Sequence, residues 1–189
     1  MTAGAKKAKA KRSTPSWSDV KAALADHDRA GLLSLVGDLY NLSKENRTFL
    51  HVRFAIGDDP ANKYKEIISD AIAPDIFSKK GIRIASAKSA IADYVKAVGA
   101  SDGEIDLMIY FVERGTEFTL DLGDIDGPFY DALLSMYGRA IKKVIALPEG
   151  KQAPFRDRLH KIMTSARHTG WGYGDGLEEM YIDAWPADD

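Results

Sequence analysis

Residues 101–122, SDGEIDLMIYFVERGTEFTLDL, decide the fold class of this chain. The Ser101 hydroxyl and the Glu104 carboxylate stand three positions apart, the spacing of a capping box, which predicts a helix from here to about Leu122. At 100° per residue, Asp106, Tyr110, Glu113, Glu117 and Asp121 fall within an arc of about 80°. Met108, Phe111, Val112, Phe118 and Leu122 fall on the opposite side. A helix with one apolar side is stable only against neighbours that cover it.

The flanking sequence supplies those neighbours in the same period. Toward the N-terminus, Ser16 or Ser18 caps a first helix anchored by Trp17. Asp28 caps a second, with Leu32, Leu35, Val36, Leu39 and Tyr40 at helical spacing, and Ser43 a third, ended by Gly57. A fourth covers Ala61 to about Ala73 and is stopped by Pro74. Ser86 opens a fifth, with Ile91, Tyr94, Val95 and Val98 inward and Gly99 at its end. Only Ile82-Arg83-Ile84 alternates like a very short strand. Toward the C-terminus, Gly123–Pro128 is a turn, and a seventh helix carries Phe129 to Ile145. An eighth carries Phe155, Leu159, Ile162 and Met163. The glycine-rich stretch 170–176 leads into a last short helix, and its Trp171 and Tyr173 are expected to pack against the body. The expectation is an all-α fold of about nine helical segments, an antiparallel bundle or a short αα-superhelix. It comprises a single domain over 16–185, preceded by a disordered basic arm over 1–15.

Charge divides the chain unevenly. Its 189 residues carry a net charge of -2, yet residues 2–12 hold Lys6, Lys7, Lys9, Lys11 and Arg12 and no acid, so the remainder stands at -7. There is no cysteine, which removes disulfides, thiolate chemistry and cysteine-based metal sites. The basic N-terminus is not followed by an apolar segment, so it does not read as a secretory leader. No apolar run approaches the ~20 residues of a membrane span. No membrane association and a cytoplasmic location are expected.

Four blocks carry a family resemblance: SWSDVKAALADHDRAGLLSLVGDLYNLSKENRTFLHVRF (16–54), KSAIADYVKAV (88–98), GEIDLMIYFVERGTEFTLDLGDIDGPFYDAL (103–133) and GWGYGD (170–175). Together they resemble a family of small all-helical bacterial proteins defined only as a domain of unknown function. The resemblance spans most of the chain from about Trp17 to Tyr181 and leaves the basic arm outside. It implies an all-helical bacterial cytosolic protein and transfers no catalytic residue.

Each polar constellation has a structural reading beside a chemical one. The stripe of Asp106, Tyr110, Glu113, Glu117 and Asp121 could hold a hard cation or an acid/base pair. As a solvated face, or one paired with basic residues of a neighbouring helix, it carries no chemistry. If the face is solvated, Glu113→Gln and Glu117→Gln should both be near neutral. Asp157-x-x-His160 has the carboxylate-x-x-His spacing of di-metal bundles, but a second copy is missing. His27, His51 and His168 add no metal-binding spacing. The glycines at 170–176 follow a helix rather than a strand, so they do not make a dinucleotide loop. Lys6, Lys7, Lys9, Lys11 and Arg12 could contact phosphates, though no aromatic side chain is interleaved for base stacking.

No catalytic, cofactor or metal site is therefore expected. The reading is a helical protein-interaction module, an adaptor or regulator without catalytic activity, with a protein as partner. One alternative is a nucleic-acid-associated protein using the arm. Another is a helical-bundle enzyme or metal-binding protein using the carboxylates of residues 106–121 with His160.

Overall fold

The computed structural model describes residues 14–57, 59 and 61–186. Lys6, Lys7, Lys9, Lys11 and Arg12 lie outside the described residues. Among the described residues the structure is all-α, with helices α1 (Trp17–Leu24), α2 (Arg29–Leu42), α3 (Lys44–Arg53), α4 (Asn62–Ile72), α5 (Ile84–Val98), α6 (Asp102–Leu122), α7 (Gly127–Ile145), α8 (Glu149–Ser165) and α9 (Tyr173–Ala184). None of them is long and apolar enough to cross a membrane. The described residues fall into two compact units, one up to Asn46 and one from Arg47 onward. The division lies in the first turn of α3.

In the first unit, local signals set the helix ends. The Asp19 carboxylate accepts from both the backbone N–H and the hydroxyl of Ser16, and Asp28 Oδ1 accepts from Gly31 N–H at 2.7 Å. Neither α1 nor α2 contains a buried residue. Leu32, Leu33, Leu35, Val36, Leu39 and Leu42 are all exposed, Leu33 by 62% and Leu42 by 76%, and Trp17, the expected anchor, is 68% exposed.

The second unit is a helical bundle organised around α6, which contacts α4, α5, α7 and α8; α9 packs on α7 and α8. The sequence suggests one apolar side for α6, but Leu107, Met108, Ile109, Phe111 and Val112 are all fully buried. Successive residues point 100° apart, so α6 is enclosed over most of its circumference. Gly115 permits one of these contacts. A Cβ there would stand 2.4 Å from Leu133 Cδ2 on α7. Leu122, expected on the apolar side, is exposed.

Five local expectations change. Ile82-Arg83-Ile84 is no strand: Arg83 N–H donates to Ala71 O at 2.8 Å, and α5 starts at Ile84, before Ser86. On α5, alanines 87, 90 and 97 line the core with Ile91 and Tyr94, while Val98 is exposed. Ser101 is the N-cap residue of α6, but its hydroxyl caps nothing; Glu104 turns away to accept from Lys143 Nζ at 2.9 Å. At 170–176, Tyr173 is fully buried and shares a 2.6 Å hydrogen bond with Thr116, whereas Trp171 is 64% exposed at φ 59°.

Candidate functional site

The carboxylate stripe of α6 lies opposite basic residues of α4 and α8. Arg158 on α8 reaches across with its whole guanidinium: Nε and Nη2 donate to the two oxygens of Glu113 at 2.7 Å each, and Nη1 donates to Asp106 at 2.5 Å. Lys65 on α4 approaches the other Asp106 oxygen at 2.7 Å. Its ammonium also lies 5.8 Å from the centre of the Tyr110 ring. Farther along, Arg114 pairs with Glu117 and donates through Nε to Ser69 Oγ at 3.2 Å. Asp121 is exposed near the helix end. The structure thus brings Asp106, Tyr110 and Glu113 into one partly buried seam and leaves Glu117 and Asp121 on its outer edge. A shallow groove of about 640 Å³ runs beside the seam, with Lys65, Ser69 and Tyr110 among its lining residues.

These ion pairs set the protonation of the seam. Burial alone raises the pKa of Asp106, but hydrogen bonds from Lys65 and Arg158, and their charges, outweigh it and hold the carboxyl below its ordinary value. Arg158 is likewise disfavoured as a cation by burial, and Glu113 and Asp106 more than reverse that, so it is held charged. The Arg158 guanidinium engages both oxygens of Glu113 in a bidentate pair. Chemically the seam is a fixed bidentate clamp between helices.

His160 belongs to a different surface. Arg158 and His160 stand two residues apart on α8 and project about 200° apart. His160 meets Tyr181 on α9 edge-on, with ring centres 5.3 Å apart. The convergence of Glu113, Glu117 and His160 that the enzyme or metal reading requires is not formed. Among the described residues, no group of three or more His, Asp or Glu side chains is placed to hold a metal ion. In the glycine-rich stretch, Gly172 adopts a left-handed conformation at the start of α9. Gly174 lies so close to the end of α8 that a Cβ would stand 2.7 Å from Arg167 O and 2.8 Å from Ala166 O. Gly172 thus serves the turn and Gly174 the close approach of α9 to α8.

Pairing with basic residues of a neighbouring helix was among the sequence readings, but not their identity: Lys65 on α4, and Arg158, which sits inside Asp157-x-x-His160. The available signal was the stripe itself: partly buried carboxylates on one face require counter-cations. The sequence readings missed the α8–α9 groove lined by Arg156, Asp157, His160 and Tyr181.

No protein-family model matches the chain, and no curated protein or solved structure matches it either.

Proposed function

We propose that the protein is a helical interaction module in which α2 docks an amphipathic helix of a partner protein. The observation that supports this reading is the leucine face of α2, exposed along its whole length. At 100° per residue, the exposed Leu32, Leu33, Leu35, Val36, Leu39 and Leu42 span about 180° of the helix. Contiguous exposed apolar surface of this kind marks interaction sites, and anchors at such spacing suit helix-in-groove recognition.

The neutralised carboxylates of α6 agree with a non-catalytic role. The proposal includes a bacterial cytoplasmic setting, in keeping with the resemblance carried by residues 16–54, 88–98, 103–133 and 170–175. Site-specific photo-crosslinking in the native host tests it. A crosslinker at Leu33 should give one discrete adduct with a different protein, lost on Leu39→Asp, while a crosslinker at Ser34 on the polar side should not. No adduct from Leu33, equal adducts from both positions, or an adduct only with a second copy of the chain would reject the reading.

A further inference from the structure

The groove between α8 and α9 is independent of both α2 and the α6 seam. It encloses about 520 Å³ and is lined by Glu149, Gln152, Ala153, Arg156, Asp157, His160 and Tyr181, a volume within the range of small-ligand sites. Arg156 is its organising residue. Its Nε donates to the Tyr181 hydroxyl at 3.2 Å, and its guanidinium carbon lies 5.5 Å from the centre of the Trp185 ring. The Tyr181 and Trp185 rings in turn pack at 5.0 Å. Two contacts therefore fix the guanidinium plane.

Among the described residues no carboxylate comes within ion-pairing distance of Arg156, although Arg158, two positions on, holds two of them. Its terminal nitrogens have no acceptor among the described residues and keep their N–H groups for a further one. Because the Tyr181 oxygen accepts from Nε, the Tyr181 O–H is also left to donate. A planar fork of donors with a hydroxyl beside it matches the two oxygens of a carboxylate. Gln152 does not compete, since its amide donates to Ile145 O and Leu147 O. Glu149 and Asp157 border the same groove, so the anion is held by the directed fork of Arg156 rather than by net charge, and a polyanion is disfavoured most.

We propose that this α8–α9 groove is a binding site for a carboxylate monoanion, gripped by Arg156 and Tyr181. The carboxylate can come from a small organic acid or from an acidic side chain of a protein. Arginine Nε–H and tryptophan Nε1–H resonances of the full chain report binding directly. Sodium acetate, a blocked tripeptide with a central glutamate, and inorganic phosphate are titrated against sodium chloride at matched ionic strength. Acetate and the tripeptide should give saturable shifts at Arg156 and Trp185, with chloride giving none and phosphate binding more weakly. A tripeptide at least tenfold tighter than acetate identifies a protein carboxylate as the natural ligand; equal affinities identify a free acid. Arg156→Lys, which keeps the charge and loses the fork, should weaken binding at least tenfold. Ala153→Trp, which fills the groove and leaves Arg156 intact, should abolish it. Shifts that chloride reproduces, phosphate binding tighter than acetate, or undiminished binding by either variant would overturn the proposal.

Discussion

Arg158 and Glu113, forty-five residues apart in sequence, meet in two parallel hydrogen bonds of 2.7 Å each. This is the fork geometry in which both partners are fixed in plane as well as in distance. Only about a quarter of either side chain is exposed, so solvent screens the pair less than it screens an ordinary surface ion pair. Glu117, one turn farther along α6, pairs with Arg114 on the same helix and is more than half exposed. Two glutamates of the same stripe thus differ in environment: Glu117 stands on a solvated edge, whereas Glu113 does not meet the condition, a solvated face, on which a near-neutral change at both was expected.

Glu113→Gln should therefore destabilise the protein by about 1–2 kcal/mol, less than the loss of a fully buried partner because the seam is partly open. Glu117→Gln should stay within ~0.5 kcal/mol of the parent. Chemical denaturation of both variants checks this, and a double-mutant cycle of Glu113→Gln with Arg158→Met should return a favourable coupling. Equal effects at 113 and 117 would show the clamp to be energetically idle.

Acid should weaken the same seam. Asp106 has its folded-state pKa held below the unfolded value, so its contribution is present above the ordinary aspartate value of about 4 and is lost as pH falls through the lower folded value. The stability of the parent should decline below about pH 4 more steeply than that of Asp106→Asn, which has no such proton to take up. Parallel thermal midpoints of the two proteins from pH 5 down to pH 2.5 would refute the linkage.

What the sequence reveals and conceals follows from the range of each interaction. The start of α2 and the end of α5 were legible because Asp28 and Gly99 act on groups within a few residues, whereas Asp126, the cap of α7, lay inside the stretch read as a turn. The stripe of α6 was legible from period alone. Its counter-cations were not, since Lys65 and Arg158 reach Asp106 from helices distant in the chain. Period also could not tell which apolar faces are covered. The leucines of α2 and the core residues of α7 recur alike, yet α2 buries nothing while Leu133, Tyr137 and Val144 are fully enclosed. The Ser101–Glu104 spacing failed because Lys143 on α7 competes for the carboxylate.

Glycines separate close packing from plain flexibility. At Gly174 an added Cβ would meet two backbone carbonyls under 3.0 Å away, and backbone cannot swing aside as a side-chain tip can. Gly174→Ala should cost about 1–3 kcal/mol by forcing α8 and α9 apart. Gly150, in the first turn of α8, has open space around it, and Gly150→Ala should be neutral or stabilising by up to about 1 kcal/mol. Urea midpoints read both signs, and a neutral Gly174→Ala would mean that the helices do not approach as closely as drawn.

The helix caps give a matched comparison. Asp126 accepts from Phe129 N–H at 2.9 Å at the start of α7, satisfying one of the donors that a helix leaves open there. Asp126→Ala should cost about 1 kcal/mol. Ser101 holds the same position on α6 with extended backbone angles, but its hydroxyl is buried and has no partner among the described residues. A buried hydroxyl without a hydrogen bond has lost its water and gained nothing in return. Ser101→Ala removes that unpaired group and leaves the Glu104–Lys143 pair in place. Its urea midpoint should equal or exceed the parent's, with an unchanged slope of the transition. A loss as large as that of Asp126→Ala would mean that the hydroxyl does cap α6 in solution and that Glu104 is free to complete the box.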